Sequence, residues 1–349
     1  MGVIKRNIDC HIPITMCNLR CSYCYIAQKE EFYNQKPKVY HTIDEERYAF
    51  SQERLGGVCM VNLCAGGETL LYPAIKELVE VILENGHYVM IVTNGLLTEK
   101  FKELITIDRD MRKRLFFKFS FHYLELKRLN KFDVYFDNIR RIKEAGCSFT
   151  VEMTPCDEEI PYIDDIKEKC IQGVGALPHI TIARSDVDPE QRIPHLSKLS
   201  FEDYKKVWGQ FNSNFFDEKC KMFYQKRTEY CYAGEWSAFI DLEDGRITPC
   251  NCGKEIGNFY DFSRPINFCA IGNNCEIAHC YNGHSWLSFG NIPELEFKTY
   301  AELRNRVCAD GSEWLTPTIK EAFSSKLVEQ NKEHSWLQKK ITNYKYKKK

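Results

Sequence analysis

The chain has 349 residues, a formal net charge of −1 and a pI of about 6.8, a balance that argues against a surface built to grip polyanions. Apolar residues make up 44% and aromatics 13%, too many for a disordered chain and enough for one large domain with a smaller appendage. No stretch approaches the roughly 20 apolar residues of a membrane span, and Met1 to Arg6 holds no apolar signal core, so a cytoplasmic location is expected. In that compartment 17 cysteines point to metal or catalysis rather than disulfides. Eight of them fall between Cys220 and Cys308, and three within eight residues at Cys17, Cys21 and Cys24. The six lysines from Lys339 to Lys349, without an acid among them, read as a solvated basic tail.

In chain order, Arg6–Ile14 is a strand leading into the cysteine loop. Thr42-Ile-Asp-Glu45 is a capping box opening a helix to about Leu55. Val58–Cys64 is a buried strand. A helix near Pro73 to Glu84 buries Ile75, Leu78, Val79 and Ile82 and stops at Asn85-Gly86. His87–Thr93 and Leu115–His122 are strands three and four. Phe132, Phe136, Ile139 and Ile142 mark a helical face ended by Gly146. Ser148–Thr154 is a fifth strand, Ile160–Ile171 a helix and His179–Arg184 a sixth strand. Ser185–Leu199 is a linker, followed by a helix near Phe201–Phe211.

Six strands alternating with helices imply a parallel sheet, either a partial (β/α)6 barrel or an open doubly wound sheet. Two strands favour the barrel. Phe117, Phe119 and Phe121 alternate with Lys118, Ser120 and His122, and Phe149, Val151 and Met153 alternate with Thr150, Glu152 and Thr154. Period-two alternation sends one set under the helices and the other inward, and a polar inward set suits a ligand site rather than a barrel filled with Val, Ile and Leu.

Cys17-Asn-Leu-Arg-Cys21-Ser-Tyr-Cys24 places three thiolates on one loop. Such a set can hold three irons of a [4Fe–4S] cluster and leave one iron open, whereas a zinc site usually closes with four ligands from two C-x2-C hooks. Here the chain resembles the radical S-adenosylmethionine (radical SAM) superfamily, whose signature is C-x3-C-x-aromatic-C with Tyr23 as the aromatic. Gly66-Gly67-Glu68 after the second strand is similar to that family's GGE motif, and Thr93-Asn94-Gly95 to its TNG turn. The resemblance covers about the first 185 residues. It implies a [4Fe–4S] cluster on Cys17, Cys21 and Cys24 and S-adenosylmethionine on Tyr23, Gly66, Gly67, Glu68, Thr93, Asn94, Ser120 and His122, with Glu68 facing the methionine ammonium. Glu152 and Arg184 join that set, and Glu152 needs a buried partner, Lys118 or Arg184. His122 and Glu152 are candidates to act on substrate. Cys156 is a candidate hydrogen-atom donor.

Thirteen residues separate Cys231 from Gly245, and four separate Gly245 from Cys250. This resembles the C-x9-15-G-x4-C hairpin of SPASM/twitch auxiliary-cluster domains. Cys269-x5-Cys275-x4-Cys280 approximates their later cysteine run, without its leading C-x2 hook and with the last spacing one residue longer. The resemblance implies an auxiliary iron–sulfur cluster on Cys231, Cys250, Cys269, Cys275 and Cys280. Cys220, Cys252 and Cys308 are reserves for a second cluster, and a zinc ribbon is the alternative. Cys59, Cys64, Cys147 and Cys170 read as core residues. The expected organisation is a partial-barrel core over 1–185, a linker and helix over 186–218, a smaller cysteine-rich iron–sulfur domain over 219–310 and a helical segment with the basic tail over 311–349.

The expected reaction is reductive cleavage of S-adenosylmethionine and abstraction of a substrate hydrogen by the 5′-deoxyadenosyl radical, with a reductase, ferredoxin or flavodoxin as electron donor. A peptide or protein substrate is favoured over a sugar or other small metabolite. A first strand near residue 6 leaves no room for a fused peptide-recognition domain of usual size. Residues 280–286 are candidates to line a substrate groove. The non-enzymatic alternative, an iron–sulfur electron carrier, gives no role to GGE and TNG. A zinc-bound nucleic-acid module conflicts with the near-neutral charge.

Overall fold

Runs rich in Val, Ile, Met and Phe, punctuated by left-handed glycines at Gly86 and Gly146, fold as the alternation predicts. The structure is a computed structural model that describes residues 2–31, 37–250, 253–281 and 286–348. Strands β1 (Arg6–Ile12), β2 (Cys59–Ala65), β3 (Tyr88–Thr93), β4 (Leu115–Ser120), β5 (Ser148–Met153) and β6 (His179–Ile180) lie side by side in chain order, all parallel. Helices Ile75–Glu84 and Phe132–Glu144 pack outside, burying Ile75, Leu78, Val79, Ile82, Ile139 and Ile142. This is the partial barrel expected from the polar inward positions.

The alternation in β4 and β5 is realised. Phe117, Phe119 and Phe121 stack outward against Phe101, Tyr135 and Phe136. Lys118, Ser120 and Glu152 face inward. Below them, Met60, Met90 and Phe116 meet Tyr300, Phe289 and Phe323, so residues 286–330 plug the end of the barrel where the strands begin. Arg304, fully buried, comes in with the Tyr300–Arg304 helix, whose Arg304 carbonyl accepts from Thr150 Oγ1 at 3.1 Å.

The sheet does not end at β1. Strand β7 (Ser237–Asp241) pairs parallel with β1, Asn7 opposite Ser237 and His11 opposite Asp241. Strands β8 (Arg246–Thr248) and β9 (Gly257–Asn258) continue it antiparallel, giving nine strands. The region beyond residue 219 thus shares a sheet with the barrel.

Four expectations are corrected. The helix from Thr42 to Leu55 is two, Ile43–Ala49 and Gln52–Leu55, because Ser51 caps a new turn with its hydroxyl accepting from Arg54 N–H. The sixth strand keeps only His179–Ile180, since beyond Thr181 the chain leaves β5 for a bridge between Arg184 and His195. The helix expected from Ile160 starts at Ile163, after a 3-10 turn over Asp157–Tyr162. The basic tail is not simply solvated: Trp336–Lys348 is a helix that buries Tyr346, whose hydroxyl accepts from Lys254 N–H at 3.0 Å. Among the described residues no helix is long and apolar enough to cross a membrane.

Candidate active site

The cysteine loop leaves β1 at the end of the barrel where the strands finish, and neighbouring strand ends tie it down. Gly67 N–H donates to Ile14 O at 2.5 Å and Glu68 N–H to Met16 O at 2.9 Å. A Cβ on Gly67 would sit 2.0 Å from Met16 O, so the glycine admits the loop's own main chain. Tyr25 OH donates to Gly66 O at 2.6 Å, Asn94 Nδ2 to Asn18 Oδ1 at 2.6 Å, and Arg20 N–H to Glu125 Oε2 at 2.8 Å. The Gly67 and Glu68 bonds run from backbone to backbone, so rotamer changes do not loosen them, and side chains supply the other three.

Cys17, Cys21 and Cys24 line a cavity of about 180 Å³, together with Gly66, Gly67, Glu68, Thr93, Asn94, Ser120 and His122. Leu19 N–H and Asn94 Nδ2 point at Cys17 Sγ, at 3.4 and 3.8 Å. Burial pushes the Cys17 thiol up to about 11 and raises Cys21 and Cys24 as well, so these thiols ionise only with a compensating cation. Among the described residues no three His, Cys, Asp or Glu side chains close on one point as ligands of a single metal ion do. Three thiols spread around a cavity, with no fourth in the loop, fit a cluster with one open iron.

Glu68 is 2% exposed. Its Oε1 accepts from Thr93 Oγ1 at 2.7 Å and Leu70 N–H at 3.0 Å, and its Oε2 from Asn94 N–H at 2.8 Å. Burial raises its pKa while these bonds oppose the rise. Among the described residues it has no ion-pair partner, so it is a buried carboxylate on the cavity wall that can still receive an ammonium.

The structure does not bring every candidate to this cavity. Tyr23 turns its hydroxyl to His122 Nδ1 at 2.7 Å, and burial lowers His122 to about 4, keeping the ring neutral. Cys156 is buried in a capping box with Glu159 and lines neither this cavity nor the next. Glu152 lies deeper, its Oε2 3.2 Å from Lys118 Nζ and its Oε1 2.8 Å from Arg304 Nε. Lys118 is thus one partner, as expected; Arg184 is not, because its guanidinium pairs with Asp186 at 3.1 Å and lies over Tyr281.

A second cavity, of about 300 Å³, adjoins the first, the two sharing Tyr25, Cys64, Ala65 and Val92. Cys64 is therefore no plain core residue but lines both, unlike the buried Cys59, Cys147 and Cys170. Asp9, His11, Asn62, Lys118, Arg184 and Asp186 give the second cavity its polar wall. Asp9 accepts from Asn62 Nδ2, and His11 Nδ1 lies 3.1 Å from Asp241 Oδ2, linking β1 to β7. Sequence reasoning missed these residues, although Asp9 and His11 alternate with Ile8, Cys10 and Ile12 as the polar residues of β4 and β5 do. Arg304, which enters from residues far downstream, carries no such local signal.

Three of the later cysteines, Cys231, Cys250 and Cys269, lie on segments that pack against one another. Cys231 exchanges backbone bonds with Gly272 at 3.1 and 3.0 Å, and a Cβ on Gly234 would meet Cys269 O at 2.2 Å and Pro249 at 3.2 Å. Segments 231–234, 249–250 and 269–272 thus pack together beside β7 and β8. Cys275 and Cys280 are half-buried on the loop that follows. Cys220 packs on the Asn214–Met222 helix, burial pushing its thiol up to about 12. Cys308 donates to Val174 O at 3.4 Å, beneath the Ile163–Val174 helix. Cys252 and most of the groove candidate at 280–286 lie outside the described residues.

Residues 11–166 match the sequence model of the radical SAM superfamily. That stretch, just under half of the chain, is what is similar to the superfamily. The chain is 21% identical over 248 residues to the antilisterial bacteriocin subtilosin biosynthesis protein AlbA of Bacillus subtilis (strain 168), a match covering 67% of this chain and 52% of that protein. The chain thus spans about half the length of that curated relative. Among solved structures, Streptococcus suis SuiB bound to its precursor peptide SuiA superposes with a TM-score of 0.51 at 15% identity, over 74% of this chain and 63% of that one. anSMEcpe with bound AdoMet gives 0.50 at 14%, over 73% and 78%. At these identities the superpositions show a shared fold.

Proposed function

We propose that the chain is a radical SAM enzyme that cleaves S-adenosylmethionine at a [4Fe–4S] cluster held by Cys17, Cys21 and Cys24 and modifies a peptide or protein. The observation that carries this reading is the single cavity on which the three thiols, Gly66-Gly67-Glu68 and Thr93-Asn94 converge. Bound there, the cluster supplies the electron that splits the sulfonium and releases the 5′-deoxyadenosyl radical.

Glu68, already fixed by three donors, receives the methionine ammonium without having to reorganise. Ser120 and His122 offer a hydroxyl and a neutral imidazole to the rest of the cofactor. The adjoining cavity takes the substrate. A peptide substrate is favoured because AlbA is named for bacteriocin biosynthesis and SuiB is solved with a precursor peptide. The cysteines at 231, 250, 269, 275 and 280 form an auxiliary iron–sulfur site, supported by the packing of three of their segments against one another.

The test is anaerobic purification followed by iron, sulfide and 5′-deoxyadenosine analysis. Replacing Cys17, Cys21 and Cys24 by alanine is expected to remove roughly four irons per chain and all S-adenosylmethionine cleavage, while auxiliary iron remains. Unchanged 5′-deoxyadenosine formation in the triple variant overturns the reading.

A further inference from the structure

The inside of the barrel holds more positive than negative charge. Lys118, Lys219 and Arg304 cluster around one carboxylate, Glu152, which touches Lys118 and Arg304. Arg304 is fully buried over the Phe215 and Tyr300 rings, its contact with Glu152 lacks the alignment of a hydrogen bond, and among the described residues neither of its Nη groups has a hydrogen-bond acceptor. Lys219 is 3% exposed and, among the described residues, has no carboxylate within ion-pair distance. Burial drives its pKa well down, with Arg184 and Lys118 adding to the effect. His279 is also fully buried, and among the described residues neither of its ring nitrogens has a hydrogen-bond partner.

Two further carboxylates stand nearby. Asp186 is taken by Arg184, and Asp9 is pushed by burial toward its neutral acid, with Asn62 and Lys118 opposing. Lys118, Arg184 and Arg304 therefore face Glu152, Asp186 and Asp9, the last held toward its uncharged form, while burial pushes Lys219 toward its neutral amine. Uncompensated buried cations are costly, and apolar residues of similar volume are usually at least as stable. An arrangement of this kind fits a site completed by an incoming anion, and the cationic groups that reach the cavity surface are Lys118 and Arg184.

We propose that the cavity of about 300 Å³ beside the cluster cavity anchors the substrate by an anionic group, a carboxylate or a phosphate, held between Lys118 and Arg184. Arg304 sits behind them and shares Glu152 with Lys118, so that this one carboxylate neutralises Lys118 only in part, and Lys219 lies close by without an acid of its own. This inference rests on the reading of that cavity as the substrate site. It narrows the substrate to a peptide presenting an acidic side chain or terminal carboxylate, or to a metabolite carrying a carboxylate or phosphate.

The experiment uses the anaerobically purified full chain and three probes at constant ionic strength: inorganic phosphate, succinate, and chloride as control. Thermal unfolding is expected to shift upward and saturate with phosphate or succinate but not chloride. A phosphate response points to a phosphorylated substrate and a succinate response to a carboxylate. Lys118→Met and Arg184→Met should raise the half-saturating concentration at least tenfold. Lys219→Met should raise it severalfold yet unfold at a higher temperature than the parent without probe, a gain expected when a buried amine without an acid partner is replaced by an apolar side chain. S-adenosylmethionine affinity should stay within twofold in all three variants.

No saturable shift in the parent protein, or an undiminished one in Lys118→Met and Arg184→Met, overturns the proposal. A tenfold loss of S-adenosylmethionine affinity in those variants also overturns it, by assigning the charge to the cofactor's own carboxylate. Anion binding without iron or 5′-deoxyadenosine would instead sink the enzyme reading and leave the anion site standing.

Discussion

The two cysteine regions are built differently. Cys17, Cys21 and Cys24 sit on one loop of eight residues, and the ends of β2, β3 and β4 hold that loop through hydrogen bonds and shared cavity walls. The later cysteines come from segments spread over some fifty residues, brought together by a hairpin that adds to the edge of the barrel sheet at β1. The first arrangement is set by sequence spacing and adjacent strand ends. The second depends on β7 finding β1 across more than two hundred residues. The first region should therefore fail locally when disturbed, and the second by loosening the segments around it.

The sharpest way to break the first region is Gly67→Ala. The new methyl group would meet a main-chain carbonyl, which cannot swing aside as a flexible side chain does. Overpacking of this kind typically costs about 1–3 kcal/mol. Here it also separates Glu68 N–H from Met16 O. Urea unfolding should show that loss together with iron content falling toward that of the triple cysteine variant. A fully loaded, equally stable Gly67→Ala protein would mean that the loop can shift away from β2.

A gentler probe keeps the loop and removes one charge. Glu68→Gln retains shape and most of the accepted bonds, so the cluster should remain. Binding of S-adenosylmethionine should weaken by about 1.5–3 kcal/mol, the scale of a hydrogen bond to a charged group. Calorimetry on the reconstituted protein measures it, and an unaltered dissociation constant would show that the ammonium lies elsewhere.

Legibility in the sequence follows the same division. The strands β1 to β5, the Ile75–Glu84 and Phe132–Glu144 helices and the inward set Lys118, Ser120 and Glu152 were readable, because each is announced by a period of two or 3.6 within one short segment. The convergence of the three motifs was readable because parallel strands finish at one end of a sheet. What was not readable depends on distant partners. Arg304 was invisible as a companion of Glu152, since nothing around Tyr300-Ala-Glu-Leu-Arg304 says that its helix plugs a barrel. Of the two partners offered for Glu152, Lys118 is one, while Arg184 pairs with the competing acid Asp186 two residues away. The break at Phe50-Ser51 went unseen because one serine hydroxyl caps a second turn inside an otherwise continuous helical pattern.

The smallest expected effects separate ligand candidates from ordinary buried thiols within the second region. Cys250 follows β8, where Thr248 Oγ1 donates to its carbonyl at 2.7 Å, and lies beside the segments of Cys231 and Cys269. Cys250→Ala should lower iron content and raise protease sensitivity beyond Ser200, because ligation crosslinks segments far apart in sequence. Cys308 is buried against Val174 and Gly175, and its thiol spends its one donor on a helix-end carbonyl. Cys308→Ala should cost about 1 kcal/mol, the centre of the range for single substitutions, and leave iron unchanged. The two variants thus move different quantities, iron and proteolysis in one and the unfolding midpoint in the other. Iron loss in Cys308→Ala with none in Cys250→Ala would reverse the assignment and place the auxiliary ligands across the molecule, under the Ile163–Val174 helix.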